Sequence, residues 1–240
     1  MHFKHSTNLG VLMFGLLSTI LTSATAFAQV AASTCGPISA PGQYGPFDYR
    51  INKSQLAIVE PYHFTPAVEA LIRGKSTTLP GPDLSYTLAA FPNHHRALLA
   101  MMRYGEKSKS PLPPGASYSV ECYFERALRF RPDDSIVRMI YATYLSKSTR
   151  APAAIQQLEQ ATASAADNAF SHYNIGLIYF DLKEYDRALG QAHKAIELGF
   201  QQTALRDQLK GVGKWTEPSG KPAGEPVTTP ISEPVESNQK

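Results

Sequence analysis

Between residues 169 and 202 the apolar positions fall in two runs of helical period, each with small side chains set among large ones. Ile175, Gly176 and Tyr179 mark the first run, and Ala188 and Ala195 the second. Gly176 and Ala188 are small enough to let two antiparallel helices approach, and Tyr179 fills the gap that remains. The preceding stretch of equal length, 135–168, keeps Ala142 on a first helix and Ala154 and Ala161 on a second, with Leu145 in place of the aromatic. One unit earlier only the second helix holds register: Ala127 and Pro132 match, but Val120 stands where a small residue belongs. The corresponding first helix is expected over 97–107, with Met101 and Tyr104 at the right mutual spacing. Residues 108–117 carry Pro111, Pro113 and Pro114, which lack amide hydrogens and clash with a preceding helical turn, so they form an inserted loop.

Weaker patterns flank these units. Thr65-Pro66 reads as a helix start, ended by Gly74, and Asp83 as the cap of a helix over 84–91 that Pro92 breaks. Asn93 is placed to cap the helix that follows, and residues 52–60 fit an extended strand or a helical turn equally well. Tyr44, Phe47 and Tyr49 make 35–50 too apolar for a free linker, so it should lie against the folded body. After the last unit, 203–209 reads as a short helix, and Leu205, Leu209, Val212 and Trp215 are suited to covering the apolar end of a stack.

The hydrophobic-Gly pair Ile175-Gly176, the aromatic Tyr179 and the small residues Ala188 and Ala195 resemble the tetratricopeptide (TPR) repeat. The likeness covers residues 97–215, is most specific over 169–202 and thins toward the amino terminus. It implies an all-α fold: a TPR-like helical-hairpin solenoid with an N-terminal helical extension (29–92) and a C-terminal capping helix. The units run 93–134, 135–168 and 169–202, with the cap over 203–215. By the same resemblance, the second, fifth, ninth and twelfth positions of each unit face a concave groove. These are Ile136, Met139, Thr143 and Ser146, then Phe170, Tyr173, Leu177 and Phe180, with His95, Leu98 and Met102 from the interrupted unit. Asn174 is present, but the lysines with which some relatives clamp a peptide carboxylate are missing, so that function is not carried over. The groove is instead adapted to a hydrophobic segment, covered either by residues 61–99 of the same chain or by a partner.

Both ends are non-globular. Lys4, an apolar run over 9–21 and Ala26-Phe27-Ala28 have the form of an export signal (1–28) cut before Gln29, and the run is too short for a comfortable membrane span. The mature chain is expected in the periplasm of a Gram-negative cell or outside it, with no anchor. From residue 216 to 240, prolines recur every four residues among Gly, Glu, Ser and Thr, a composition that predicts a disordered, polyproline-like tail. Cys35 and Cys122, the only cysteines, are a disulfide candidate in an oxidising compartment. The chain-entropy argument gives about 4–5 kcal/mol for so long a loop. Two thiols without a nearby histidine pair do not complete a zinc site, so no metal and no cofactor are expected.

The formal charge of +3, one unit of it in the leader, makes no extended surface for nucleic acid. The sharpest catalytic candidate is His94-His95-Arg96, where two imidazoles and a guanidinium meet a helix start. Adjacent helical residues diverge by about 100°, so the two histidines do not chelate one ion, and capping or packing is the plainer role. The resulting expectation is a non-enzymatic scaffold that binds a protein or peptide on its concave face. An enzyme centred on His94, His95 and Arg96, or a lipid or glycan carrier, stands as the alternative.

Overall fold

The computed structural model describes residues 35–218, and every regular element among them is helical. The helices are α1 (Lys53–His63), α2 (Pro66–Glu69), α3 (Pro80–Ala90), α4 (His95–Ser108), α5 (Val120–Phe130), α6 (Ser135–Lys147), α7 (Ala151–Ala165), α8 (Ala169–Asp181), α9 (Tyr185–Glu197) and α10 (Ala204–Gly211). The all-α expectation therefore holds over these residues. The expected leader and the tail beyond residue 218 lie outside them.

Helices α6 and α7, and then α8 and α9, pair into hairpins whose local details recur at equivalent positions. Asp134 caps α6 by accepting the Val137 amide, and Asn168 caps α8 by accepting that of Ser171. In the turns, Thr149 and Lys183 take left-handed φ values of 57° and 63°. The next amides, of Arg150 and Glu184, bond back to Leu145 and Tyr179 at 3.0 and 2.9 Å. Across the hairpins, Arg138 donates to Gln157 at 2.9 Å, and His172 Nδ1 lies 2.7 Å from Gln191 Oε1. From His172 to Gly176 the contact on α9 moves back from Gln191 toward Ala188, so α8 and α9 run antiparallel.

The small residues sit where the approach is closest. A Cβ on Gly176 would stand 3.4 Å from the Ala188 carbonyl oxygen, 3.2 Å from Gln191 Cβ and 2.5 Å from Leu205 Cδ2. Leu205 and Leu209 of α10 are fully buried and close this end of the core. Val212, expected to join them, stays 44% exposed. Trp215 packs edge-on against His193 and donates from Nε1 to Glu217. In the interrupted pair the sizes are exchanged: a Cβ on Gly105 of α4 would lie 2.7 Å from Val120 Cγ2 of α5, so the glycine accommodates the large residue.

The amino-terminal part differs from expectation in four places. Residues 53–63 are a full helix. Thr65 caps α2 through the Val68 amide, but α2 stops at Glu69, short of Gly74, and Leu71 follows with φ 57°. Helix α3 begins at Pro80, and the Asp83 carboxylate turns away from its own helix to accept from the Lys75 and Ser76 amides at 2.7 and 3.1 Å. His94, in place of Asn93, caps α4, through Nδ1 and the Ala97 amide at 3.1 Å. The aromatic segment ahead of α1 lies on the body as its composition requires: the Phe47 amide donates to Ala90, and the rings of Phe47 and Tyr49 meet Phe91 and His94. Cys35 and Cys122 form a disulfide, leaving no free thiol among the described residues.

Candidate functional site

Helices α4, α6 and α8 pack side by side, each offering the outer face of its first turns to the same concavity. Between them is a cleft of about 440 Å³. Leu99 of α4 forms one wall, Ile136, Met139, Ile140 and Thr143 of α6 the floor, and Phe170, Asn174, Leu177 and Ile178 of α8 the other wall. His95 and Arg96 stand at the α4 edge. The two neutral polar residues direct donors to their own helices: Thr143 Oγ1 to the Met139 carbonyl at 3.0 Å, and Asn174 Nδ2 to that of Phe170 at 2.7 Å. Among the described residues no carboxylate lines the cleft, and its charged or chargeable side chains are the two bases. Such a surface holds an apolar body.

Of the groove residues expected from sequence, His95, Ile136, Met139, Thr143, Phe170, Asn174 and Leu177 come together here. Met102, Leu98, Ser146, Tyr173 and Phe180 do not. Met102 and Leu98 are buried in the core, and the helix presents His95, Arg96 and Leu99 to the cleft instead. Tyr173 packs tilted against Phe200 with ring centroids 4.7 Å apart, and Phe180 against Tyr185 at 5.4 Å, so contacts beside the last hairpin claim both rings. Leu99, Ile140 and Ile178 were missed; each follows an expected lining residue by one position, the mark of a broader apolar face than four positions per unit describe.

The cluster at the α4 edge is a buried ionic network. Asn93 is fully buried and its Nδ2 donates to Asp48 at 2.8 Å and to Asp134 at 2.9 Å. Asp48 also accepts from Arg50 and Arg131, and Asp134 from His95 Nε2 and the Val137 amide. Burial pushes both carboxyls up, but these hydrogen bonds outweigh it and hold Asp48 and Asp134 below the usual carboxylate range. His94 Nδ1 is occupied by the Ala97 amide, so its proton sits on Nε2, which donates to Glu60 at 3.1 Å. Burial, assisted by the nearby Arg96 charge, takes the His94 imidazole down to about 3, leaving a neutral cap with no lone pair to offer a substrate. Arg96 is engaged by Glu69 and Glu60. Each of the three candidate catalytic residues thus has a structural partner, and among them His95 and Arg96 also reach the cleft.

No family model matches this chain, and no curated protein is significantly similar to it.

Proposed function

We propose that this is an exported, TPR-like scaffold protein of the cell envelope that docks an apolar segment of a partner protein in the cleft between α4, α6 and α8. The observation that carries the reading is the cleft itself: about 440 Å³, lined by Leu, Ile, Met and Phe, open to solvent, with Phe170 57% exposed at its margin. Apolar strips of this extent on a soluble chain mark interaction surfaces. Caps, turns and cross-hairpin bonds recur at one fixed offset, Asp134 to Asn168 and Arg138 to His172, which supports the repeat assignment. The disulfide supports an oxidising compartment. No helix among the described residues is long and apolar enough to cross a membrane.

A photo-reactive residue at position 170, expressed in the source cell's envelope, tests the reading. A recurrent crosslinked segment is expected, absent when the probe sits at exposed Gln160 on α7 and abolished by Leu177→Glu with helix content retained. A product that survives Leu177→Glu contradicts docking in the cleft.

A further inference from the structure

Residues 61–99, expected to lie over the groove, build only one wall of it, through His95, Arg96 and Leu99. Phe64, Val68, Leu84 and Leu88 from the same stretch are buried in the core and leave the cleft open. A second apolar surface lies on α1, which is apolar on both sides. Leu56 and Val59 face the body and pack with Phe47, Tyr49 and Phe91. On the other side Lys53, Ser54, Ala57, Ile58, Pro61 and Tyr62 are exposed, Ile58 at 57% and Tyr62 at 64%, with Ile51 just ahead of the helix at 71%. A helix that is apolar all round is a helix made to be buried. We propose that the outer face of α1 pairs with the same face of a second copy of this chain across a two-fold axis, in an antiparallel dimer whose two clefts stay open.

The charges of α1 are placed for self-pairing. A two-fold axis sets a face against itself, so a free charge near the axis would meet its own like. Lys53 turns its ammonium back onto its own chain, 2.7 Å from the Tyr49 carbonyl and 4.5 Å from the centre of the Tyr49 ring. That also withdraws the cation with which this face would grip an anionic lipid surface. Glu60 is held by His94 and Arg96. Residues two positions apart on a helix diverge by about 160°, so Ile58 and Tyr62 point away from the side on which Glu60 meets Arg96, the α4 edge of the cleft. Pairing through α1 therefore does not obstruct the cleft, whatever the cleft holds.

Shape and area fit a second copy. With the axis between Ala57 and Ile58, Ile58 rests on the small Ala57 of the other copy, Pro61 on its Ser54, and Tyr62 against the aliphatic stem of its Lys53. Tyr86, half-exposed on α3, stacks on His63 with ring centroids 3.8 Å apart and widens the patch beyond the carboxy end of α1. The exposed apolar area of Ile51, Ala57, Ile58, Pro61, Tyr62 and Tyr86 is on the order of 500 Å² per copy, or about 1,000 Å² for the pair, the lower bound for a specific interface. The dimer is therefore a reversible one of micromolar strength. It presents two clefts at once, so a partner carrying two apolar segments gains avidity that a monomer cannot supply.

Sedimentation of the mature chain (29–240) over a concentration series tests the dimer. A monomer–dimer equilibrium with a micromolar Kd is expected. Ile58→Glu and Ile58→Lys, each with helix content retained, should weaken it about a hundred-fold. An equimolar mixture of the two should sediment as a dimer again, because opposite charges then meet across the axis. Tyr62→Ser, a milder change at an exposed position, should weaken it about ten-fold, and Leu112→Glu, exposed in the proline loop, should leave it untouched. A chain that stays monomeric well above micromolar concentration overturns the proposal, as does a dimer that survives both Ile58→Glu and Tyr62→Ser. A monomer that floats with anionic vesicles through Ile58, or crosslinks from position 58 to a different protein, also overturns it and gives the face to that occupant. Crosslinking at position 170 is a separate readout, so the docking reading stands or falls without the dimer.

Discussion

His172 Nδ1 meets Gln191 Oε1 across the last hairpin at 2.7 Å, and in the preceding hairpin Arg138 and Gln157 make the equivalent contact at 2.9 Å. The same register brings Gly176 against Ala188 and under Leu205, so the interlock of α8, α9 and α10 depends on a missing side chain.

Two glycines of this hairpin should therefore respond oppositely. Gly176→Val drives branched carbon into Leu205 and Gln191 and should cost about 2–3 kcal/mol. Gly190→Ala on α9 meets nothing within 4 Å and should gain about 0.5–1 kcal/mol from helix propensity. Urea unfolding of the two variants, with unchanged slopes, measures both. A neutral Gly176→Val would mean the helices do not approach as described.

His94 gives stability a defined pH dependence. In the unfolded chain its imidazole takes a proton near pH 6.5, whereas in the fold it does so only near 3. The stabilisation is fully present above pH 6.5 and is lost as pH falls from there toward 3. His94→Asn keeps a competent helix cap without a titrating ring. It should be less stable at pH 7, through lost packing, and show a flatter thermal midpoint between pH 6.5 and 4. An equal slope in both proteins would place the titration elsewhere.

Asn93 holds two buried carboxylates together, and its replacement should reveal this by pH. Asn93→Asp adds a third carboxyl to Asp48 and Asp134 and should cost several kcal/mol at pH 7, with the deficit shrinking as acid protonates the cluster. Asn93→Ala should lose about 2–3 kcal/mol without that recovery. Thermal midpoints of both variants between pH 4 and 8 separate the two effects.

The hairpins were legible because their packing is local in sequence: Gly176, Ala188 and Ala195 mark helix contacts at fixed offsets, and the caps Asp134 and Asn168 repeat with them. Six lining residues followed from that register. The amino-terminal part was less legible because long-range partners set it. Asn93 has the composition of a cap, yet Asp48 and Asp134, 45 and 41 residues away, claim its side chain and leave the cap to His94. Asp83 likewise serves the loop at Lys75 and Ser76. Tyr173 and Phe180 left the expected groove because Phe200 and Tyr185 offered closer ring partners, a choice that no periodicity encodes.

The central claim is that the cleft between α4, α6 and α8 receives an apolar protein segment. Calorimetry with the segment captured at position 170, synthesised as a peptide and titrated into purified protein at several temperatures, tests it most directly. The account predicts a negative heat-capacity change, the mark of apolar burial, and a loss of affinity of about a hundred-fold in Leu177→Glu. Undiminished affinity in that variant, folded and helical, would contradict it.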